Sequence, residues 1–386
     1  MDAPLDAPLA DFDELACALA RHQAALCPAV ARLFRARGID PGALRRAEQI
    51  PAVPTDVFKM TRVATHPPAE DVVLFRTSGT TVGARGAHGL RTTETYLHGA
   101  LRFGERMLAP ERPAGLRALL LMPPPEEAPD SSLGFMCAAF ARTLADGGRW
   151  FLRGNTLDLA GLRAAVAEAH EAEAPVLLLA TSFALVYLLD ALDGAPLVLP
   201  RGSRAMQTGG YKGRTREVPA AALRAQLAAT LGLDPRSIVS EYGMTELSSQ
   251  GYEATLRGQL GLDGGAGEGI LVVPPWMRVT PVDPETLRPV PQGQEGIARI
   301  VDLANVDSAV AIQTQDRIRE VPGGFKLLGR LPGAAPRGCS LAIEEALGGA
   351  QEEASVEIFG GVQAPVEGAL GGAQEPAAEE APGGRP

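Results

Sequence analysis

Short apolar runs alternate with helical patterns along most of the chain, and this alternation restricts the fold more than any other sequence feature. The runs are DVVLFR (71–76), ALLLMP (118–123), APVLLLAT (174–181), LVLP (197–200), SIVSEYG (237–243), GILVVPP (269–275) and ARIVDLA (298–304). Between several of them, residues 93–108, 157–171, 183–192 and 219–230 read as helices. Strands of near-continuous apolar character are those covered on both faces, and intervening helices supply the cover. The fold class is therefore α/β. Residues 270–330 carry strand and turn patterns with few helical ones, which predicts a β-rich subdomain. Near the N-terminus, Phe12, Leu15, Leu19, Leu26, Val30 and Leu33 fall at roughly helical spacing and predict one or two helices. IPAVPTDVFK (50–59), with prolines at 51 and 54, predicts an extended or turn-rich connection.

Composition narrows the functional classes. The 386 residues are 46% hydrophobic, enough for a sizeable core. A net charge of -10 gives no basic face for nucleic acid. The four cysteines (Cys17, Cys27, Cys137, Cys339) form no CxxC pair, and five scattered histidines show no zinc spacing, so a reducing cytoplasm is expected. The acidic start (Asp2, Asp6, Asp11, Asp13, Glu14) argues against a secretory signal. The longest apolar run, Pro175 to Leu189, is interrupted by Thr181 and Ser182, short of the ~18 residues of a membrane span. Only three lysines occur (Lys59, Lys212, Lys326), a bias to which no function attaches. The last 40 residues are rich in Gly, Ala, Pro and Glu and repeat ALGGAQE at 346–352 and 369–375. Such a segment has too little apolar surface to offset its ordering entropy. The expected organisation is a helical segment over 1–50, a main domain over 51–345, and a disordered acidic tail over 346–386.

Three loops carry the chemistry. The first, TSGTTVGARG (77–86), combines small residues with hydroxyls, so that the backbone can approach anionic oxygens, and Arg85 adds charge. It is not a Walker A loop, because no Gly-Lys-Ser/Thr follows at the required spacing. Taken alone it is equally a surface turn. The second, SEYGMTE (240–246), ends a strand with an aromatic for a base, a hydroxyl for a phosphate and a carboxylate for Mg²⁺. Its plainer reading is a helix N-terminus capped by Thr245. The third is Asp316 with Gly329-Arg330, an acid for ribose hydroxyls and an arginine beside it, or simply a surface pair in a hairpin.

Taken in order, SGTT, then YGMTE, then a distal Asp and Gly-Arg resemble the adenylate-forming (ANL) superfamily of acid synthetases. The resemblance implies ATP and Mg²⁺ as cofactors. It implies phosphate contacts from Ser78, Gly79, Thr80 and Thr81. Tyr242 and Gly243 would line the adenine, Thr245 would meet the α-phosphate, and Glu246 would hold the metal. Asp316 and Arg330 would hold the ribose. MQTGGYKGR (206–214) sits where that superfamily has its adenine-side loop, so Gly209 and Gly210 are expected at the nucleotide. Further segments narrow the likeness to the LuxE-type acyl-protein synthetases: PPPEEAPDSSLGFM (123–136), ATSFALVYLLD (180–190), PPWMRV (274–279), DLANVDS (302–308) and RGCSLAIEE (337–345). This resemblance covers roughly residues 50 to 345. It implies activation of a fatty acid to acyl-AMP and transfer to a protein thiol, with Cys339 as acyl acceptor and an acyl-reductase or carrier-protein partner. Arg337 stands two residues before Cys339 and would favour its thiolate.

The sequence also departs from the ANL pattern. Val82, Ala84 and Arg85 replace the usual Gly, Pro and Lys of the phosphate loop. No lysine follows Lys326, so the expected fold is an ANL-type large N-terminal domain lacking the usual mobile C-terminal domain and its lysine. Arg85, Lys212, Arg214, Arg330 and Arg337 are the candidate substitutes, with Arg85 counted among the catalytic residues. Cys17, Cys27 and Cys137 read as structural. Residues around Phe135–Phe140 and Phe183–Leu189 are the expected walls of an acyl pocket. Two other functions fit the pattern: an acid–CoA or acid–carrier-protein ligase resembling phenylacetate-type synthetases, and a nucleotide-binding partner subunit without turnover.

Overall fold

The computed structural model describes residues 9–77, 85–154, 156–209 and 218–331. Its helices are α1 (Phe12–Leu26), α2 (Pro28–Ala36), α3 (Val57–Met60), α4 (Glu94–Leu108), α5 (Ser132–Thr143), α6 (Leu159–Glu171), α7 (Ser182–Leu192), α8 (Ala220–Leu231) and α9 (Thr255–Gln259). The strands are β1 (Val53–Pro54), β2 (Val73–Arg76), β3 (Ala87–Leu90), β4 (Arg117–Leu121), β5 (Gly148–Trp150), β6 (Leu152–Arg153), β7 (Thr156–Leu157), β8 (Val176–Thr181), β9 (Arg204–Thr208) and β10 (Ile238–Tyr242). They continue as β11 (Gly251–Glu253), β12 (Leu271–Val272), β13 (Met277–Val282), β14 (Glu295–Asp302), β15 (Ala311–Val321) and β16 (Gly324–Arg330).

One 12-stranded sheet runs β13-β14-β15-β16-β12-β11-β10-β9-β8-β4-β5, with β1 added beside β15. From β5 to β10 the pairs are parallel, and beyond β10 they are antiparallel. The parallel half is covered on both sides, as its apolar strands require. Period-two alternation is visible in β8: Leu177 and Leu179 face the core under α4 and α5, whereas Val176, Leu178 and Ala180 face the core under α6, α7 and α8. Each fully buried Leu of this kind contributes roughly 2 kcal/mol of apolar transfer.

The N-terminal segment and the β-rich half share a third core. Phe12, Ala16 and Ala20 of α1 and Val30, Leu33 and Phe34 of α2 pack with Ala298, Ile300, Ile312, Ile318 and Phe325. The expected boundary at residue 50 is thus no boundary between cores. α1 and α2 are separate helices because Pro28 begins the second and Cys27 before it is extended. Gln23, fully buried in α1, donates to the Asn305 and Val306 carbonyls (2.7 and 3.1 Å) and accepts from the Val310 amide (2.8 Å).

One local expectation is corrected. LVLP (197–200) is not a strand. Its Leu197 and Leu199 amides donate to the Thr230 and Leu231 carbonyls (2.9 Å each), satisfying groups that the C-terminal end of α8 leaves open. Leu197 and Leu199 are buried while Val198 is exposed, so the alternation is that of a strand without a ladder partner. The segment 132–143 forms a helix, α5, started by the Ser131 hydroxyl accepting from the Gly134 amide (3.0 Å).

Candidate functional site

β10 ends in Tyr242, which is buried and meets Phe325 edge-on at 5.6 Å. The Tyr242 hydroxyl donates to Asp316 Oδ2 at 2.8 Å. Asp316 and Arg330 are opposite one another in the β15–β16 register, and Arg330 Nε donates to Asp316 Oδ1 at 3.1 Å. The second and third loops of the sequence therefore meet. Burial, the Asp316 charge and this hydrogen bond hold the Tyr242 phenol well above its ordinary range.

No helix follows Tyr242 directly, which corrects the reading of Thr245 as a helix cap. The amides are engaged elsewhere. Ser248 and Ser249 donate through their backbones to Asp302 Oδ2 (3.1 and 2.9 Å), and the Ser249 hydroxyl donates to Oδ1 (2.7 Å). Asp302, fully buried, also accepts from the Ala304 amide at 3.0 Å. Asn305 Nδ2 donates to the Glu246 carbonyl at 2.9 Å. These bonds fix a turn that leaves Thr245 half-buried and Glu246 buried. Burial pushes the Glu246 carboxyl up, while its own amide, Lys59 and Arg330 pull it down.

The neck of the first loop abuts this turn. The Thr77 amide donates to the Gly86 carbonyl (2.9 Å), and the Gly86 amide donates to the Thr77 hydroxyl (2.9 Å). A Cβ on Gly86 would stand 3.0 Å from the Thr77 methyl and 3.6 Å from Glu246 Oε1, so only glycine lets the two approach freely. Ser78, Gly79, Thr80 and Thr81 lie outside the described residues. Arg85 does not reach toward Glu246. Its fork donates to the Thr77 and Arg76 carbonyls (2.6 and 3.3 Å) and to Asp130 Oδ2 (2.7 Å). These bonds make Arg85 a clamp at the neck of the first loop.

Behind the turn stands His88, 1% exposed on β3. Its Nδ1–H donates to the Thr245 carbonyl at 2.7 Å, which fixes the proton on that nitrogen. Burial lowers its pKa, against the pull of the Thr245 bond. Its Nε2 is buried without a hydrogen-bond partner among the described residues.

Beside Tyr242, Glu241 is buried with the Thr208 hydroxyl donating to its carboxyl. Burial pushes this group up to about 7, against the pull of the Thr208 bond. Gly243 must lack a side chain here, since a Cβ would lie 2.5 Å from Glu241 Oε1. Gly209 ends β9 at φ +70°, and its carbonyl accepts from the Ser182 hydroxyl at 2.7 Å. Gly210 and Cys339 lie outside the described residues, as do Lys212, Arg214 and Arg337. Cys17, Cys27 and Cys137 are buried and unpaired, and burial raises the thiol pKa of Cys17 and Cys137.

Several of the residues expected to wall an acyl pocket are core residues on opposite faces of the sheet. Phe140 packs into the core under α4 and α5, and Leu185 and Leu188 pack into the core on the opposite face of the sheet. A cavity of about 290 Å³ is lined by Leu90, Arg91, Tyr96, Ser248, Val306 and Asp307 among others. Its Arg91–Asp307 pair stands 2.9 Å apart.

The residues present fit nucleotide and metal. Mg²⁺ on a nucleotide takes one or two carboxylates and completes its shell with phosphate and water. Glu246, beside the glycine-lined neck, supplies one carboxylate, and no group of three or more metal-ligating side chains occurs among the described residues. No helix among them is long and apolar enough to cross a membrane.

Sequence reasoning passed over Lys59, His88, Glu241 and Asp302. Glu241 and Asp302 carried local signals, lying in the quoted segments SEYGMTE and DLANVDS. The others join the site through pairings with distant segments.

A scan against protein-family models finds no match, and a comparison with curated proteins finds none. Solved structures do match. An open conformation of 2-hydroxyisobutyryl-CoA ligase in complex with 2-HIB-AMP and CoA is 15% identical, with a TM-score of 0.57 over 84% of this chain and 69% of that one. The same enzyme in its postadenylation state with R3-HIB-AMP is 14% identical, with a TM-score of 0.56 over the same shares. ATP-bound MatB from Rhodopseudomonas palustris is 17% identical, with a TM-score of 0.49 over 69% of this chain. The chain spans about half the length of that protein (49%). The chain thus shares its mixed α/β fold, built on one large sheet, with 2-hydroxyisobutyryl-CoA ligase over most of its length.

Proposed function

We propose that this protein activates a carboxylic acid with ATP and passes the acyl group to a thiol. The observation that carries this reading is the convergence of Tyr242, Asp316 and Arg330 with Glu246 at the neck of the first loop. In the first half-reaction a carboxylate oxygen bonds to the α-phosphorus of ATP. The bond from that phosphorus to the bridging oxygen breaks, and pyrophosphate leaves with its electron pair. Glu246 would hold Mg²⁺, which supplies charge neutralisation on the phosphate oxygens. Tyr242 lines the base, Asp316 binds the ribose hydroxyls with Arg330 beside it, and Thr245 faces the α-phosphate. In the second half-reaction a thiolate sulfur bonds to the acyl carbon, the carbon–oxygen bond breaks, and AMP leaves.

The finer form of the reading has a fatty acid as substrate. The thiol is then that of Cys339 or of a partner protein, as the resemblance to acyl-protein synthetases implies. The fold is also that of a solved acid–CoA ligase, so CoA or a carrier-protein thiol is the competing acceptor.

The test is carboxylate-dependent exchange of labelled pyrophosphate into ATP with Mg²⁺, over fatty and aromatic acids. Exchange with one class is expected, and Glu246→Gln should lower it about 10²-fold. The labelled acid, followed onto wild type, Cys339→Ala and added CoA, then names the acceptor. A folded, ATP-binding protein that exchanges with no acid would sink the proposal.

A further inference from the structure

The phosphate side of the site is reached by an element that the three loops do not include. β1 adds in parallel to β15 at Val53–Ile312 and Pro54–Gln313, and the Thr55 amide donates to the Gln313 carbonyl at 3.0 Å. α3 follows at once. Its Phe58 is 2% exposed and meets the His88 ring edge-on at 5.9 Å, and His88 in turn donates to the Thr245 carbonyl. α3 is therefore seated against the strand that leaves the first loop and, through His88, against the YGMTE turn.

Lys59 stands on this seat. Its ammonium donates to Asp56 Oδ1 at 2.7 Å. Asp56 Oδ2 accepts from Gln315 Nε2 at 2.9 Å, one residue before Asp316. Lys59 is half-exposed, so its ammonium is open to a ligand, and its charge, like that of Arg330, draws the Glu246 carboxyl down. The neighbouring arginines have other partners: Arg85 holds Asp130, Arg62 holds Asp71 and Arg91 holds Asp307. Arg330 faces Asp316. Asp56, Glu246 and Asp316 crowd the same rim with negative charge. A triphosphate arriving there needs a cation beyond its own metal.

We propose that Lys59 is the group that meets the β- and γ-phosphates of ATP opposite Glu246 and follows pyrophosphate as it leaves, with Asp56 as its positioning residue. This rests on the adenylation reading. In the alternative, the Lys59–Asp56 contact is a surface pair one turn apart on a short helix, of the kind whose removal changes little.

The test uses the full-length chain with Lys59→Met and Lys59→Arg. Two readouts are taken: pyrophosphate exchange at varied ATP, and direct binding of ATP and of AMP by calorimetry. Lys59→Met should lower kcat/KM for ATP by about 10²-fold. It should weaken ATP binding about tenfold, leave AMP binding within about twofold, and keep the wild-type melting curve, because only the terminal phosphates lose a contact. Lys59→Arg should recover most of the loss. Equal exchange in Lys59→Met and wild type would overturn the assignment, and so would equal weakening of ATP and AMP. Should wild type exchange with no acid, the adenylation reading falls by itself, and the comparison of ATP with AMP still decides Lys59.

Discussion

Replacing Glu241 by Gln should make the protein more stable in a pH-dependent way. The side chain is 7% exposed, and its described hydrogen-bond partner is the Thr208 hydroxyl. Burial pushes its pKa to about 7 from an ordinary 4.5. The unfolded chain therefore releases this proton first. Between about pH 4.5 and 7 the folded state holds more protons than the unfolded one, so stability falls as pH rises through that window and levels off above it. A gap of about 2.5 pH units at ~1.4 kcal/mol each is a penalty of about 3.5 kcal/mol above pH 7. A glutamine side chain fills the same volume, still accepts from Thr208 and cannot ionise. Urea unfolding of both proteins at pH 4.5, 6 and 8 isolates the effect, because every other titrating group cancels in the difference. The expected result is near equality at pH 4.5 and an advantage for Glu241→Gln approaching about 3.5 kcal/mol at pH 8. A difference that does not change with pH would refute the reasoning.

Tyr242→Phe removes the hydroxyl that Asp316 accepts but keeps the ring. KM for ATP should rise about five- to tenfold with kcat nearly unchanged, measured by steady-state exchange, since one hydrogen bond to a charged group is lost. A fall in kcat with KM unchanged would contradict a binding role. Asp302→Ala leaves the buried Ser248 and Ser249 amides and the half-buried Ala304 amide without their acceptor, so denaturant unfolding should show a loss of roughly 3 kcal/mol or more. A loss under about 1 kcal/mol would mean that the turn is held by other contacts.

The parallel half of the fold was legible because its strands advertise themselves. VLLLAT is apolar at every position facing either core, and helices of ordinary length separate it from its neighbours. LVLP misled because its Leu-Val-Leu alternation arises from docking against α8, which local pattern cannot distinguish from a ladder. At the site, the order of the loops anticipated that Tyr242, Asp316 and Arg330 would meet, and the β15–β16 register with the Tyr242 bond brings them together. The support beneath them was not legible. Phe58 touching His88, Gln315 holding Asp56 and Asp302 gathering two serine amides join segments far apart in the chain. No window of sequence contains both ends of such a contact. The contacts of Arg85 were equally hidden: its donors turn back onto the neck and reach Asp130, 45 positions on.

Gln23 in α1 grips the Asn305 carbonyl 282 positions away, and Asn305 in turn holds the carbonyl of Glu246. Synthesis from the ribosome is vectorial, so the first helices emerge with Phe12, Val30 and Phe34 exposed and stay so until the last strands of the sheet are made. The doubly covered parallel half can close early on its own neighbours. The YGMTE turn cannot settle until α1 and the strands of the β-rich half have found each other, a closure of high contact order and correspondingly slow. In the cell, the half-made protein would present an apolar helical pair to chaperones well before the YGMTE turn is in place.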